Sequence, residues 1–126
     1  MKAILFKKAK NNLMAAQLCY DNGFYDGCAN RAYYAGFQAS IAALIHRGIK
    51  RDKIDHKLVQ ADFSEQLIKR QKIYPAKLKS YLMDMQLIRN RADYTHESIS
   101  QKLALLQISK AKEMMELIGK DIEKCA

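Results

Sequence analysis

Proline occurs once and glycine five times in 126 residues, and neither gathers with serine into a linker or a low-complexity run. Cysteine is equally sparse: Cys19, Cys28 and Cys125 are far apart and form no Cys-x-x-Cys pair. That spacing points to neither a disulfide framework nor a zinc site, and Cys19 and Cys28 read as small buried apolar residues. No apolar stretch is long enough to cross a bilayer, and the residues from Met1 to Lys8 lack the apolar core of a signal peptide. The expectation is a cytosolic protein without a membrane partner. Strand alternation, hairpin turns, internal repeats, a glycine-rich phosphate loop and a Ser/His/Asp arrangement are all missing. His46 and His56 stand ten residues apart with no cysteine and carboxylate cluster at metal-ligand spacing, so neither a metal nor a cofactor is expected.

What the chain does have is helical periodicity. With 49% hydrophobic and 28% charged residues it has the composition of a compact helical protein. Its length matches one domain, residues 1–126, able to bury about two-thirds of its unfolded surface. Residues 2–22 place Leu5, Ala9, Leu13, Ala16 and Tyr20 on one stripe, stopped by Gly23. Residues 25–46 are apolar on most faces. Small residues Ala29, Ala32, Gly36, Ala39 and Ala43 recur there at intervals of three or four, as in a central helix that neighbours approach closely, and Gly48 ends it. The pattern then predicts a shorter helix over 57–71 and a longer one over 75–94, with Pro75 in its first turn. In the longer one Leu78, Leu82, Met85 and Ile88 or Arg89 share a side. Ser100 is the expected N-cap of a last helix reaching 123, with Leu103, Leu106, Ser109 or Lys110, Met114 and Leu117 inward. The sum is an all-α, up-and-down helical bundle of four long helices plus a short helix.

The formal net charge is +9, and residues 47–79 hold ten Lys or Arg against four Asp or Glu. Such a balance favours polyanionic partners and also fits ordinary solvated helix faces. The densest chemistry lies in Arg89-Asn90-Arg91-Ala92-Asp93-Tyr94-Thr95-His96. Arginine grips phosphate with a planar fork, and histidine titrates nearest neutrality, so the segment is a minimal kit for metal-free RNA cleavage. The same residues also fit a helix that ends with its charges in water. Arg31, inside the apolar second helix, calls for an acid such as Asp84 or Asp93, while Tyr33 and Tyr34 read as packing and His56 as a group that closes the loop before the third helix.

Three segments together carry a family resemblance. The stretch from Gly23 to Phe37, with Arg31-Ala32-Tyr33-Tyr34-Ala35-Gly36-Phe37 at its centre, resembles the second helix of the HEPN superfamily (higher eukaryotes and prokaryotes nucleotide-binding). Ala92-Asp93-Tyr94, His56 and Ile99-Ser100 are similar to its small stand-alone branch. The resemblance implies a helical bundle that usually dimerises. In active members it implies an endoribonuclease with an arginine, a polar residue, and a histidine after four to six intervening residues. Here these are Arg89, Asn90 and His96, with six between; reading Arg91 and His96 leaves four but puts Ala92 in the polar place. Relatives include toxins encoded beside a nucleotidyltransferase antitoxin, RNA-targeting immunity effectors and members without demonstrated activity. Where some toxins carry a modifiable tyrosine two residues after the histidine, this chain has Ser98.

The chemistry agrees with that expectation. A 2′-hydroxyl attacking its neighbouring phosphorus needs a proton carrier near neutral pH and a cation for the developing charge. His96 suits the first role and Arg89 the second, with Asn90 orienting a phosphate oxygen or the imidazole and Arg91 attracting RNA. A symmetric homodimer would supply two histidines. The rival expectations are a catalytically silent module that binds a nucleotide or a nucleotidyltransferase partner, and a purely structural dimerisation module.

Overall fold

The computed structural model describes residues 1–124, and Cys125 lies outside them. Its elements are α1 (Lys2–Asp21), α2 (Tyr25–His46), α3 (His56–Asp62), which runs on as a π-helix (Phe63–Arg70), α4 (Lys77–Tyr94) and α5 (Gln101–Lys124). The described residues form no strand, and the fold is an all-α bundle of four long helices and one short one. None of the helices is long and apolar enough to cross a membrane.

Two glycines set the corners. Gly23 and Gly48 have φ of 79° and 80°, a left-handed conformation that side chains resist. Phe24 N–H reaches the Cys19 carbonyl at 2.8 Å, and Ile49 N–H reaches that of Leu44 at 2.9 Å, so both α1 and α2 close with the double-bonded glycine cap. The first short turn folds α1 back along α2. The stripe of α1 holds as expected, with Ala9 and Ala16 fully buried and Leu5, Leu13 and Tyr20 packed on the core.

α2 is the axis, touching every other helix. Its small face lets neighbours close in: a methyl group added at Gly36 would lie 2.9 Å from Met85 Cε of α4 and 3.3 Å from Met114 Sδ of α5. Cys28 is buried, bonded weakly to the Ala104 carbonyl, and burial pushes its thiol up to about 11, which leaves it inert. Cys19 is only half-buried, less enclosed than expected.

α3 begins at an unforeseen cap, Asp55, whose carboxylate accepts from Leu58 N–H at 3.1 Å. The widened turn that follows was not legible either. It ends with Gln71 N–H on the Gln66 carbonyl, five residues back, and its Phe63 stacks on Tyr74. α4 buries Leu78, Leu82, Met85, Ile88 and Arg89 along the predicted side. Ser100 caps α5 as expected, accepting from Leu103 N–H at 3.1 Å.

The inward face of α5 is corrected at Leu106, which is 47% exposed. Leu103 and Leu117 pack on the core and Met114 is buried, as expected, and of Ser109 and Lys110 it is Lys110 that is covered. Ala104, Ile108, Ala111, Met115 and Ile118 complete the face, the alanines suiting close approach to the small face of α2. A second correction concerns Arg31. Its guanidinium meets the Asn12 and Asn30 side-chain oxygens at 2.9 and 2.8 Å and lies over Tyr34; neither Asp84 nor Asp93 is its partner. Asp84 faces Lys110, and Asp93 accepts from Asn30. Arg31 keeps one edge in solvent, where neutral amide oxygens suffice, and the enclosed arginine of the bundle is Arg89.

Candidate functional site

Arg89 sits on the buried side of α4, 8% exposed, where an arginine needs specific company. Aromatic faces provide most of it. The guanidinium lies 5.2 Å from the Tyr33 ring centre, 5.5 Å from Tyr34 and 5.8 Å from Tyr94. A delocalised, weakly hydrated cation tolerates such a cage far better than an ammonium does. Nη1 donates to the Tyr94 hydroxyl at 3.3 Å and lies 3.8 Å from Asp93, one helical turn on, while the buried Nε has no partner. Asn30 of α2 donates to Asp93 at 2.8 Å and so holds the carboxylate at the rim of the cage.

Beneath the arginine lies a second assembly. The Tyr33 hydroxyl is 2.6 Å from His56 Nδ1, and the His56 ring stacks on Phe37 with centres 4.2 Å apart. Gln60 and Arg89 approach the Tyr33 hydroxyl from the other side. Burial raises Tyr33 to about 12, with Tyr34 adding to it, against the opposing hydrogen bonds and the Arg89 charge. Burial also lowers His56 below its ordinary value, and the positive charge of Arg89 lowers it further, against the opposing carboxylate of Asp55.

A depressed histidine prefers to stay neutral in the folded chain, so the unfolded chain takes up the proton first as pH falls. The stability tied to His56 is therefore complete above about pH 6.5 and is lost as pH drops through its lower folded value. Thermal melts between pH 7.5 and 5.0 are expected to show this decline, and His56→Gln should flatten it. An equally steep decline in the variant would assign it to other groups.

The motif residues are not all gathered. α4 stops at Tyr94, and Thr95 is extended, with φ −128° and ψ 174°. The Thr95 hydroxyl donates to the Arg91 carbonyl at 2.7 Å and accepts from Glu97 N–H at 3.2 Å. Four residues after Thr95, Ile99 is buried and its N–H donates to Asp26 at 2.8 Å. His96 is exposed on the short link between these two anchors. α4 thus ends at Tyr94, where its periodicity places the end, and the Thr95 bonds leave His96 outside the helix. Among the described residues no hydrogen bond joins the two side chains. Tyr94 lies between them in sequence, 74% exposed yet bonded to Arg89. Asn90 is half-buried on the outer side of α4, and Arg91 turns toward the link, 3.5 Å from Glu97.

Tyr33, Tyr34, His56, Asp93 and Tyr94 thus belong to the surroundings of Arg89, where sequence reasoning treated the first three as packing or loop closure. A signal existed: the Asp of Ala92-Asp93-Tyr94 follows Arg89 by four residues, the spacing of facing side chains on a helix. Among the described residues no group of three or more His, Cys, Asp or Glu is placed to hold a metal ion.

The arrangement belongs to a known class. The family model of the HEPN domain matches residues 3–122, almost the whole chain, and the protein is a member of that family, a nucleotide-binding and RNase-type superfamily. Comparison with curated proteins returns no match.

Proposed function

We propose that the protein is a metal-independent endoribonuclease that works as a homodimer. The observation that carries the reading is the pairing of a caged, pre-oriented Arg89 with an exposed His96 on a link pinned at both ends. A pre-oriented cation spends little on reorganisation as charge builds on phosphorus. His96 removes the proton of the RNA 2′-hydroxyl, the 2′ oxygen bonds to phosphorus, and the 5′-oxygen bond breaks. The departing 5′ oxygen takes a proton from His96 of the partner subunit, leaving a 2′,3′-cyclic phosphate and a 5′-hydroxyl. Asn90 orients a phosphate oxygen and Arg91 attracts the strand.

The surface left for a dimer lies on α4. The apolar faces of α2 are consumed within the chain, leaving α4 to present Leu87, Asn90 and Tyr94 outward at intervals of three and four, with Leu87 61% exposed. A two-fold contact along that stripe would bring both His96 links together. We place the protein as the toxin of a pair whose antitoxin is a nucleotidyltransferase. With Ser98 in the place of a modifiable tyrosine, silencing proceeds by binding.

The test is incubation of the purified protein with single-stranded RNA in excess EDTA, followed by analysis of the ends. Cyclic-phosphate products that persist in EDTA are expected. Coexpression with a neighbouring nucleotidyltransferase should then relieve growth arrest without adding mass to the protein; a nucleotide adduct would overturn silencing by binding. One observation favours a second reading, a catalytically silent module that binds a nucleotide or a nucleotidyltransferase: Arg89 is nine-tenths buried and close to Asp93, as a scaffold arginine would be.

A further inference from the structure

The π-helix and the first half of α4 enclose an open groove of about 460 Å³ that none of the motif residues lines. Two lysines border it, Lys69 from the π-helix and Lys79 from α4, both exposed. Among the described residues neither joins an ion pair, whereas the acid in the groove, Glu65, lies 3.4 Å from Arg70. The groove is therefore cationic. Its floor is apolar, formed by Leu82 and the half-exposed Met83, and Gln60 and Ser64 add polar groups along the α3 and π-helix side.

Its position gives it meaning. Gln60 donates to Gln86 on α4 and lies near the Tyr33 hydroxyl, on whose ring Arg89 rests. One residue thus closes the groove and touches the arginine cage. Along α4, Lys79, Met83, Gln86 and Asn90 follow at intervals of four, three and four, a single stripe about 16 Å long that leads from the groove to the proposed site. The widened π turn, a feature that favours functional sites, forms the opposite wall.

We infer that this groove is the track for single-stranded RNA flanking the cleaved bond, with Lys69 and Lys79 on successive phosphates and the Met83 floor under a base. The inference rests on the ribonuclease reading for the direction of the strand, and on the free lysines and the Gln60 junction for its place. A duplex is too wide for a groove of this size, so the strand enters unpaired. Lysine suits the role because it meets a phosphate as a mobile point charge, while the fixed fork of Arg89 is kept for the reacting group. The Leu87 and Tyr94 stripe lies beyond the groove on the same helix and stays free for the second subunit.

Binding can be measured without chemistry. A fluorescent single-stranded RNA 12-mer with 2′-O-methyl groups throughout cannot be cut by its own hydroxyl, and anisotropy against the full-length protein gives Kd over a range of salt. The double variant Lys69→Gln/Lys79→Gln is expected to weaken binding roughly tenfold near 0.1 M salt and to reduce the slope of log Kd against log salt by about 1.4, or about 0.7 for each phosphate no longer neutralised. The control, Lys7→Gln/Lys8→Gln on the exposed side of α1, makes the same change of net charge and should leave the slope alone. Equal effects from the two pairs, or an unchanged slope in the groove variant, would overturn the track. If unmodified RNA is cut by the wild type while groove variants bind normally, the groove assignment alone fails. If binding depends on the groove lysines but unmodified RNA is never cut, the groove stands and the catalytic reading fails.

Discussion

His96→Ala is expected to lower RNA cleavage by more than roughly 10²–10⁴-fold, the contribution of a single general acid or base, because the variant homodimer loses the base and the acid together, while costing no more than about 0.5 kcal/mol of stability. The two effects separate because His96 is exposed and the link that carries it is held by neighbours, through the Thr95 hydroxyl and the Ile99 N–H. Alanine at position 96 leaves both anchors in place. Arg91→Ala is the informative contrast. Arg91 is only partly covered and faces Glu97 at 3.5 Å, so its loss should weaken binding and lower the salt slope by about 0.7 without removing the chemistry. Both variants need a check of folding and of dimer mass before rates are compared in EDTA. Undiminished cutting by His96→Ala would end the catalytic assignment. Selective loss in Arg91→Ala would transfer the cationic role from Arg89 to Arg91 and with it shorten the motif to four intervening residues.

The ends of most helices were legible because their stop and start signals are local. Gly23 and Gly48 take the left-handed conformation, and Ser100 accepts from the N–H three residues on, all within a turn of the residue that gives the signal. The end of α4 falls at Tyr94, as its periodicity predicts, but what holds the chain beyond it is less local. The chain there is held by the Thr95 hydroxyl bonding backward and forward and by Asp26, 73 residues away in sequence, catching the Ile99 N–H. No periodicity reports a partner that distant, so the anchoring of the link that carries His96 is not legible in the pattern. The π-helix was invisible for a similar reason, since Phe63 finds Tyr74 only after the chain has turned.

The stripe of α4 offers Arg89 as an inward residue, but what would surround it was beyond local reading. Arg31 and Arg89 both stand among apolar neighbours in sequence, and their burial depends on the rotation of α2 against α4. Met85 and Leu82, facing Gly36, fix that rotation and carry Arg89 inward over Tyr33 and Tyr34. The aromatic pair then serves a second purpose beside the packing that the sequence suggests. Tyr33 is fully buried and packs on Phe37, and its hydroxyl also ties His56 to the arginine cage. Structure and site share the same atoms here, which is why a motif residue can be both scaffold and chemistry.

That double role makes Arg89→Ala the most consequential substitution in the chain. It removes a guanidinium from three rings, an ion pair with Asp93 and a hydrogen bond to Tyr94, leaving a cavity beside Tyr33. Breaking a fully buried pair costs about 3–5 kcal/mol, and the partial exposure of Asp93 lets water recover some of that, so a loss of about 2–4 kcal/mol is expected. For a chain of this length the melting temperature should fall on the order of 10 °C. Arg89→Lys should fall less, because the charge remains, yet it should lose cleavage as fully, because an ammonium neither stacks nor offers a fork. The loss of charge in Arg89→Ala has a further readout: His56 is held low in part by Arg89, so its titration, followed by NMR at temperatures where the variant is folded, should move upward. A lowered melting temperature and a shifted His56 with undiminished cleavage would make Arg89 a scaffold residue and favour the silent module. Lost cleavage with an unchanged melting temperature and an unmoved His56 would show that the cage is open in solution and that Arg89 serves the substrate alone.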